Sequence, residues 1–254
     1  MKKGLFIAIN IVLLAIVIFL GWQVWKSIQA PIKFQDELQK RETEVRERLI
    51  DIRNAEVLYK NTYNKYTANL DSLIYFCLND SIPNVKMISK QNAEDSTYYT
   101  VYDTVGYISI IDSIIRGNAE RNIRASKEKE NWTPEDWQSF HSNYNIHDLK
   151  WVPYSEPKQI FEIEADIHNN PNTGIKTPVF EVRSPYDVYL AKPGKSFSDK
   201  DWKQRVDNLK AEKVGKANLK SDGTPDEDDP RYRYPGLKIG SMKESSIEGN
   251  WQKL

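Results

Sequence analysis

Residues 5–25 read LFIAINIVLLAIVIFLGWQVW, and this stretch, Leu5 to Trp25, sets the architecture. It carries no charge, and fourteen of its 21 residues are Leu, Ile, Val or Phe. At about −0.3 to −0.6 kcal/mol each on an insertion scale, they outweigh the polar Asn10 and Gln23. With a rise of about 1.5 Å per residue, a helix of this length reaches roughly 30 Å, one hydrocarbon thickness. Trp22 and Trp25 stand at its far end, where interfacial aromatics belong. The stretch is therefore expected to be a transmembrane helix over 5–25, after a cytoplasmic tail of residues 1–4. The alternative is a cleaved signal peptide, with Met1-Lys2-Lys3 as its charged start and Ser27-Ile28-Gln29-Ala30 as a cleavage site. Two tryptophans and Lys26 between the apolar run and that site favour an uncleaved anchor. Flanking charges are nearly balanced, with Lys2 and Lys3 before the span and Lys26, Lys33 and Lys40 after it. A very short tail is easier to retain than a long domain, which translocates largely regardless of charge. The expected placement is a single pass through a bacterial inner membrane, N-terminus cytoplasmic and C-terminal domain periplasmic.

Outward from the anchor, Pro31 is expected to open a second helix, since its missing N–H costs nothing in a first turn. No Gly or Pro occurs from Phe34 to Tyr66, and residues 31–66 read as a long amphipathic helix. Val45, Leu49, Ile52, Tyr59, Tyr63 and Tyr66 recur at steps of three and four, with Glu56 interrupting the stripe. Asp36–Lys40, Glu37–Arg41, Glu42–Arg46, Glu44–Arg48 and Glu56–Lys60 place acid four residues before base, each worth about 0.2–0.5 kcal/mol. The first half, poor in apolar residues, reads as a solvated stalk or inserted spacer; the second half reads as core-facing. A coiled coil needs at least three clean apolar heptads, so packing on the chain's own domain is expected.

Residues 67–254 then form a soluble α+β head. Tyr98 to Val105 and Tyr107 to Ile111 read as strands separated by Gly106. Phe161, Ile163, Ala165 and Ile167 alternate with Glu162, Glu164 and Asp166, the cleanest strand pattern in the chain. A turn containing His168 to Gly174 follows, then Thr177 to Arg183 as the antiparallel partner, with Pro185 to Leu190 as a third strand. Thr133-Pro134-Glu135-Asp136 and Ser198-Asp199-Lys200-Asp201 are helix starts, and Gly215 suits the second helix's stop. Residues 117–131 read as an exposed connection and 215–233 as a flexible acidic loop.

Ile52 to Lys60, then Asn64-Lys65-Tyr66-Thr67, then Leu70-Asp71-Ser72-Leu73, resemble the segment after the membrane helix in type IV pilins and secretion pseudopilins. The resemblance implies a pilin-like plan: an anchor helix running into a stalk that packs on a small antiparallel β-sheet head with short helices. It departs from the pilin pattern at Gly4, which no acid follows before Asp36, so prepilin-peptidase processing is not expected. The whole chain also resembles bacterial single-pass membrane proteins that share this segment and a Tyr-Pro-Gly-Leu-Lys-x-Gly-Ser pattern, here Tyr234 to Ser241. Its plan is similar to that of assembly-platform proteins of pili and type II secretion.

Chemistry is sparse. Lys plus Arg and Asp plus Glu number 36 each, so no net basic field draws nucleic acid. Seven Trp and fourteen Tyr argue against disorder. Cys77, the only cysteine, excludes an intrachain disulfide and reads as a buried inert thiol. His141 and His147 lack same-face helical spacing, and His168 falls in a turn. No phosphate loop, dinucleotide glycine pattern or serine elbow occurs, and no small-molecule substrate is evident. The one metal candidate is calcium at Asp222, Asp226, Asp228 and Asp229, beside Glu227; pseudopilins hold calcium in a late loop. The stretch lacks EF-hand spacing, and a solvated linker is the expectation. Tyr234 to Leu237 and Trp251 either dock as a closing strand or face a partner. The expected function is a non-enzymatic, membrane-anchored structural subunit of an envelope assembly, pilus-like or secretion-related. Its partners would be the lipid bilayer and other envelope proteins or further copies of itself. The alternatives are a periplasmic binding or sensor module, an assembly-platform-like protein, and an enzyme with a non-motif site.

Overall fold

A computed structural model describes residues 2–91, 97–125, 144–171, 173–215 and 217–251. The expected helix start at Thr133 and the residue His141 lie outside these. The fold is α+β: one long N-terminal helix, a two-stranded antiparallel hairpin and a three-stranded antiparallel sheet.

Helix α1 runs unbroken from Lys2 to Tyr63, 62 residues. Pro31 does not open a new helix; it sits inside α1, where it removes only one backbone donor, to the Ser27 carbonyl. From Ile11 to Trp25 every Leu, Ile, Val, Phe and Trp side chain is exposed, with Trp25 at 67%. This helix is long and apolar enough to cross a membrane. Burial begins at Phe34 and Leu38, so the expected solvated stalk is not found. The spacer residues pack because the apolar positions, though few, fall three, four or seven apart on one face: Phe34, Leu38, Val45, Leu49, Ile52. Val45, Leu49, Ile52 and Ala55 are fully buried, the Val, Leu and Ile side chains each contributing about 1.5–3 kcal/mol by leaving water.

Beyond Tyr63 the chain turns through Asn64, at φ 56°, into α2, Leu70–Asn79. Asn69 caps it by accepting from Ser72 N at 2.9 Å, and Leu73 and Cys77 pack inward. Strand β1, Ser81–Gln91, pairs antiparallel with β2, Tyr98–Ser109. The two stretches expected on either side of Gly106 are thus one strand, with Val105 as the extra residue where the register shifts between Asn84 and Val85. Ile110 and Ile111 are not strand residues; they open α3, Ile110–Ala125, which takes up part of the expected connection 117–131.

Strands β3, Glu162–Asn169, and β4, Lys176–Pro185, form the expected hairpin, with His168 inside β3 rather than in the turn. Pro185 to Leu190 is not a third strand: Tyr186–Tyr189 is one helical turn, and its two tyrosines are buried. The third strand is β5, Gly236–Gly240, paired with β4. Glycine at both ends of β5 is a packing requirement. A Cβ on Gly236 would stand 2.3 Å from the Ser184 carbonyl oxygen, and one on Gly240, at φ +81°, 2.2 Å from that of Phe180. Asn250 N donates to Lys238 O at 3.0 Å, so the C-terminal segment covers the outer edge of β5. The Tyr-Pro-Gly-Leu motif and Trp251 dock on the head. Helix α4, Asp199–Val214, starts at a Ser198 cap and stops at Gly215, burying Trp202 and Val206.

Candidate functional site

Strands β3, β4 and β5 alternate. Phe161, Phe180, Val182, Leu237 and Ile239 are buried against the helices, while Glu162, Glu164, Glu181, Arg183 and Lys238 form the opposite face. The register sets Glu164 opposite Glu181, and Arg183 opposite both Glu162 and Lys238. Like charges side by side would be destabilising, but they interlock. Arg183 donates to Glu162 at 2.8 Å and to Glu164 at 2.7 Å; Lys238 donates to Glu181 at 2.8 Å. Glu181 is 8% exposed, so its two cationic neighbours are what permit its burial.

This charged face opens into a cleft of about 820 Å³. Glu42 and Arg46 of α1 form one wall, joined at 2.6 Å, and the Arg46 guanidinium lies 6.0 Å from the centre of the Trp251 ring. Tyr232 and Tyr234 also line the cleft. Burial raises the phenol pKa of Tyr186 and Tyr234, which therefore remain hydrogen-bonding groups rather than bases. Among the described lining residues there is no His, Ser–His pair or Cys. The cleft offers charge pairs, phenols and one indole edge, a set suited to holding a polar ligand.

The acidic candidates are individually engaged. Asp222 accepts from Thr224 N at 2.9 Å and from its hydroxyl. Asp226 accepts from Asp228 N at 3.1 Å, and Asp228 pairs with Lys243. Asp229, 7% exposed, accepts from Arg231 at 2.7 and 3.0 Å and from Asn218 N at 2.8 Å. The Arg231 hydrogen bond, with the backbone donors, holds the Asp229 carboxyl well below its usual range. Among the described residues no three His, Cys, Asp or Glu side chains gather as a metal would require. The described part of 215–233 is a hydrogen-bonded turn, with Asp226 N to Asn218 O at 2.7 Å and Lys220 N to Thr224 O at 2.8 Å.

Arg41, read as part of a solvated stalk, and Glu56, read as an interruption of the apolar stripe, are both buried. Arg41 is 4% exposed; it donates to the Tyr189 and Lys192 carbonyls at 3.1 and 2.8 Å, pairs with Glu37 at 2.9 Å, and lies 5.0 Å from the Trp202 ring centre. Glu56 has no exposed surface. One oxygen accepts from Thr67 N at 3.1 Å; the other is buried with no hydrogen-bond partner among the described residues. Burial pushes its carboxyl pKa from 4.5 up to about 8. The sequence signal was its place within the apolar stripe. Cys77 is buried as expected, its thiol pushed up to about 12 by burial and by Glu56. No known protein family, curated protein or solved structure matches this chain.

Proposed function

We propose that the chain is a membrane-anchored structural subunit of a bacterial envelope assembly, with its head outside the cytoplasm. One observation carries the reading. The exposed apolar cylinder Ile11–Trp25 is continuous with the helix that supplies the centre of the head's core. Exposed apolar surface of that extent marks an interaction surface, and a lipid bilayer is the cover that its length and composition fit. The pilin-like plan, an anchor helix that doubles as the spine of its own head, supports the same reading. The exposed β1–β2 hairpin, with Tyr98, Tyr102 and Tyr107 each two-thirds exposed or more, supports association with further subunits.

The test is in-cell cross-linking followed by carbonate extraction and purification of the full chain in mild detergent. The chain should remain with the membrane and migrate as a cross-linked species larger than a monomer, carrying envelope proteins or further copies. Release by carbonate, or a monomer with no cross-linked partner, would refute the proposal. Alkaline phosphatase fused after Leu254 should be active; inactive phosphatase would reverse the orientation. The cleft of about 820 Å³ favours a second reading, a binding module. In that case a small ligand should raise the melting temperature of the purified chain in proportion to its occupancy.

A further inference from the structure

At the end of α1 farthest from the anchor, Tyr59 and Tyr63 pack one helical turn apart, ring centres 4.7 Å from each other and planes tilted by 45°. Phe76 of α2 stands edge-on to both, at 5.1 and 5.7 Å. With Tyr75, 70% exposed, and Asn79 and Asp80 at the end of α2, these rings line an open cup of about 520 Å³. Tyr63 Oη donates to Asp80 Oδ2 at 3.0 Å, which fixes the carboxylate at the rim beside the rings and raises the phenol's pKa. None of the described lining residues is Lys, Arg or His. Asp71, also on the rim, carries Lys150 as its counterion at 2.7 Å. Among the described residues Asp80 has a phenol partner but no such cation, so the cup's open charge is negative and lies next to aromatic faces.

We propose that this cup binds an alkylammonium group, with Tyr59, Tyr63 and Tyr75 contacting its methylenes and charge and Asp80 as its counter-ion. Aromatic faces attract cations through the ring quadrupole, about a two- to fivefold gain in affinity per exposed ring. A carboxylate alone would take any cation; rings beside it select one with an apolar sheath. Inorganic cations, strongly hydrated, gain little from the rings. The position restricts the source. Tyr63 lies 38 residues past Trp25, about 57 Å along the helix axis, out of reach of the amine headgroups of the bilayer that holds the anchor. The ammonium group therefore comes from a lysine side chain of a neighbouring protein or from a free amine. The site goes beyond the assembly reading and stands or falls apart from it, because co-purification does not report on the cup.

The test uses the full chain in detergent micelles, labelled with 3-fluorotyrosine and followed by fluorine NMR at pH 7. Butylammonium chloride should shift the Tyr63 and Tyr75 resonances, assigned through Tyr63→Phe and Tyr75→Phe, along a saturable curve. Butyramide, the same length without charge, and sodium chloride at equal ionic strength should not. Asp80→Asn keeps an acceptor for the Tyr63 hydroxyl and should weaken butylammonium binding about three- to tenfold. Tyr75→Ala, at an exposed position that leaves the core intact, should weaken it about two- to fivefold. Acetyl-lysine methylamide separates the sources. Binding at least tenfold tighter than butylammonium assigns the site to a protein lysine; equal binding assigns it to a free amine. The proposal is overturned if butylammonium and butyramide give the same linear shifts, or if Asp80→Asn titrates as the wild type does.

Discussion

Replacing Glu56 by Gln isolates the titration of one buried carboxyl. The group has no exposed surface, and burial lifts its pKa from 4.5 to about 8. Between those values the folded chain keeps a proton that the unfolded chain has released. The folded state binds more protons, so stability falls as pH rises. The stabilising protonation is fully present below about pH 4.5 and lost as pH climbs to about 8. The slope is about 1.4 kcal/mol per pH unit, and the whole window amounts to about 5 kcal/mol. At pH 7 the folded carboxyl is about ten to one protonated. Gln keeps an acceptor for Thr67 N and cannot ionise. Its amide has a constant cost at the unpartnered oxygen position, which shifts the variant's curve without tilting it. Urea denaturation of the full chain in mild detergent, read by tryptophan fluorescence from pH 5 to 8.5, gives both curves. The wild-type stability minus that of the variant should fall steadily to about pH 8 and then flatten. Parallel curves would mean that the carboxyl is solvated and the burial argument wrong.

Arg41→Ala should cost about 3 kcal/mol, since it leaves the Tyr189 and Lys192 carbonyls without their charged donor inside a packed site; chemical denaturation checks this. Leu49→Ala and Ile52→Ala should each cost about 2–5 kcal/mol and lower the melting temperature, because both side chains are fully buried in the core. Asp229→Asn should destabilise at neutral pH and converge with the wild type in acid. A depressed carboxyl stabilises the fold above its unfolded pKa, and that contribution is lost as pH falls through the folded one. Calcium in the millimolar range should leave the melting temperature unchanged, since binding at Asp229 requires displacing Arg231; a saturable rise would show that the acidic turn reorganises around the ion.

What was legible in the sequence was what local chemistry dictates. The apolar run, the Glu162–Ile167 alternation and the Ser198 cap each specify structure within a few residues, and each appears. The β1 strand did not announce itself: SIPNVKMISKQ contains Pro83, Lys86 and Lys90, and its extended form depends on pairing with β2. The burial of Arg41 and the partner of Glu56 were hidden for a related reason. A charged residue on a helix reads as solvated unless its partners are known, and those partners lie more than ten residues away: the 189 and 192 carbonyls for Arg41, the Thr67 amide for Glu56. The acidic stretch, read as a linker by composition, is held by Arg231, Lys243 and its own backbone turns. The Tyr59–Tyr63 pair was visible as a stripe. Its relation to Phe76 and Asp80 required the turn at Asn64.

The continuity of α1 makes this protein a lever. Core packing begins at Phe34, nine residues past Trp25, about 14 Å along the helix axis. Between the apolar segment and the head there is no swivel, only a short length of helix with one weakened turn at Pro31. Torque applied to the apolar segment of α1 therefore turns the head through the same angle. A push on the head likewise tilts the anchor, and bending is concentrated at Pro31. Inserting one residue between Lys26 and Pro31 would rotate the head by about 100° about the helix axis while leaving its fold intact. Any neighbour bound to both parts would be put out of register.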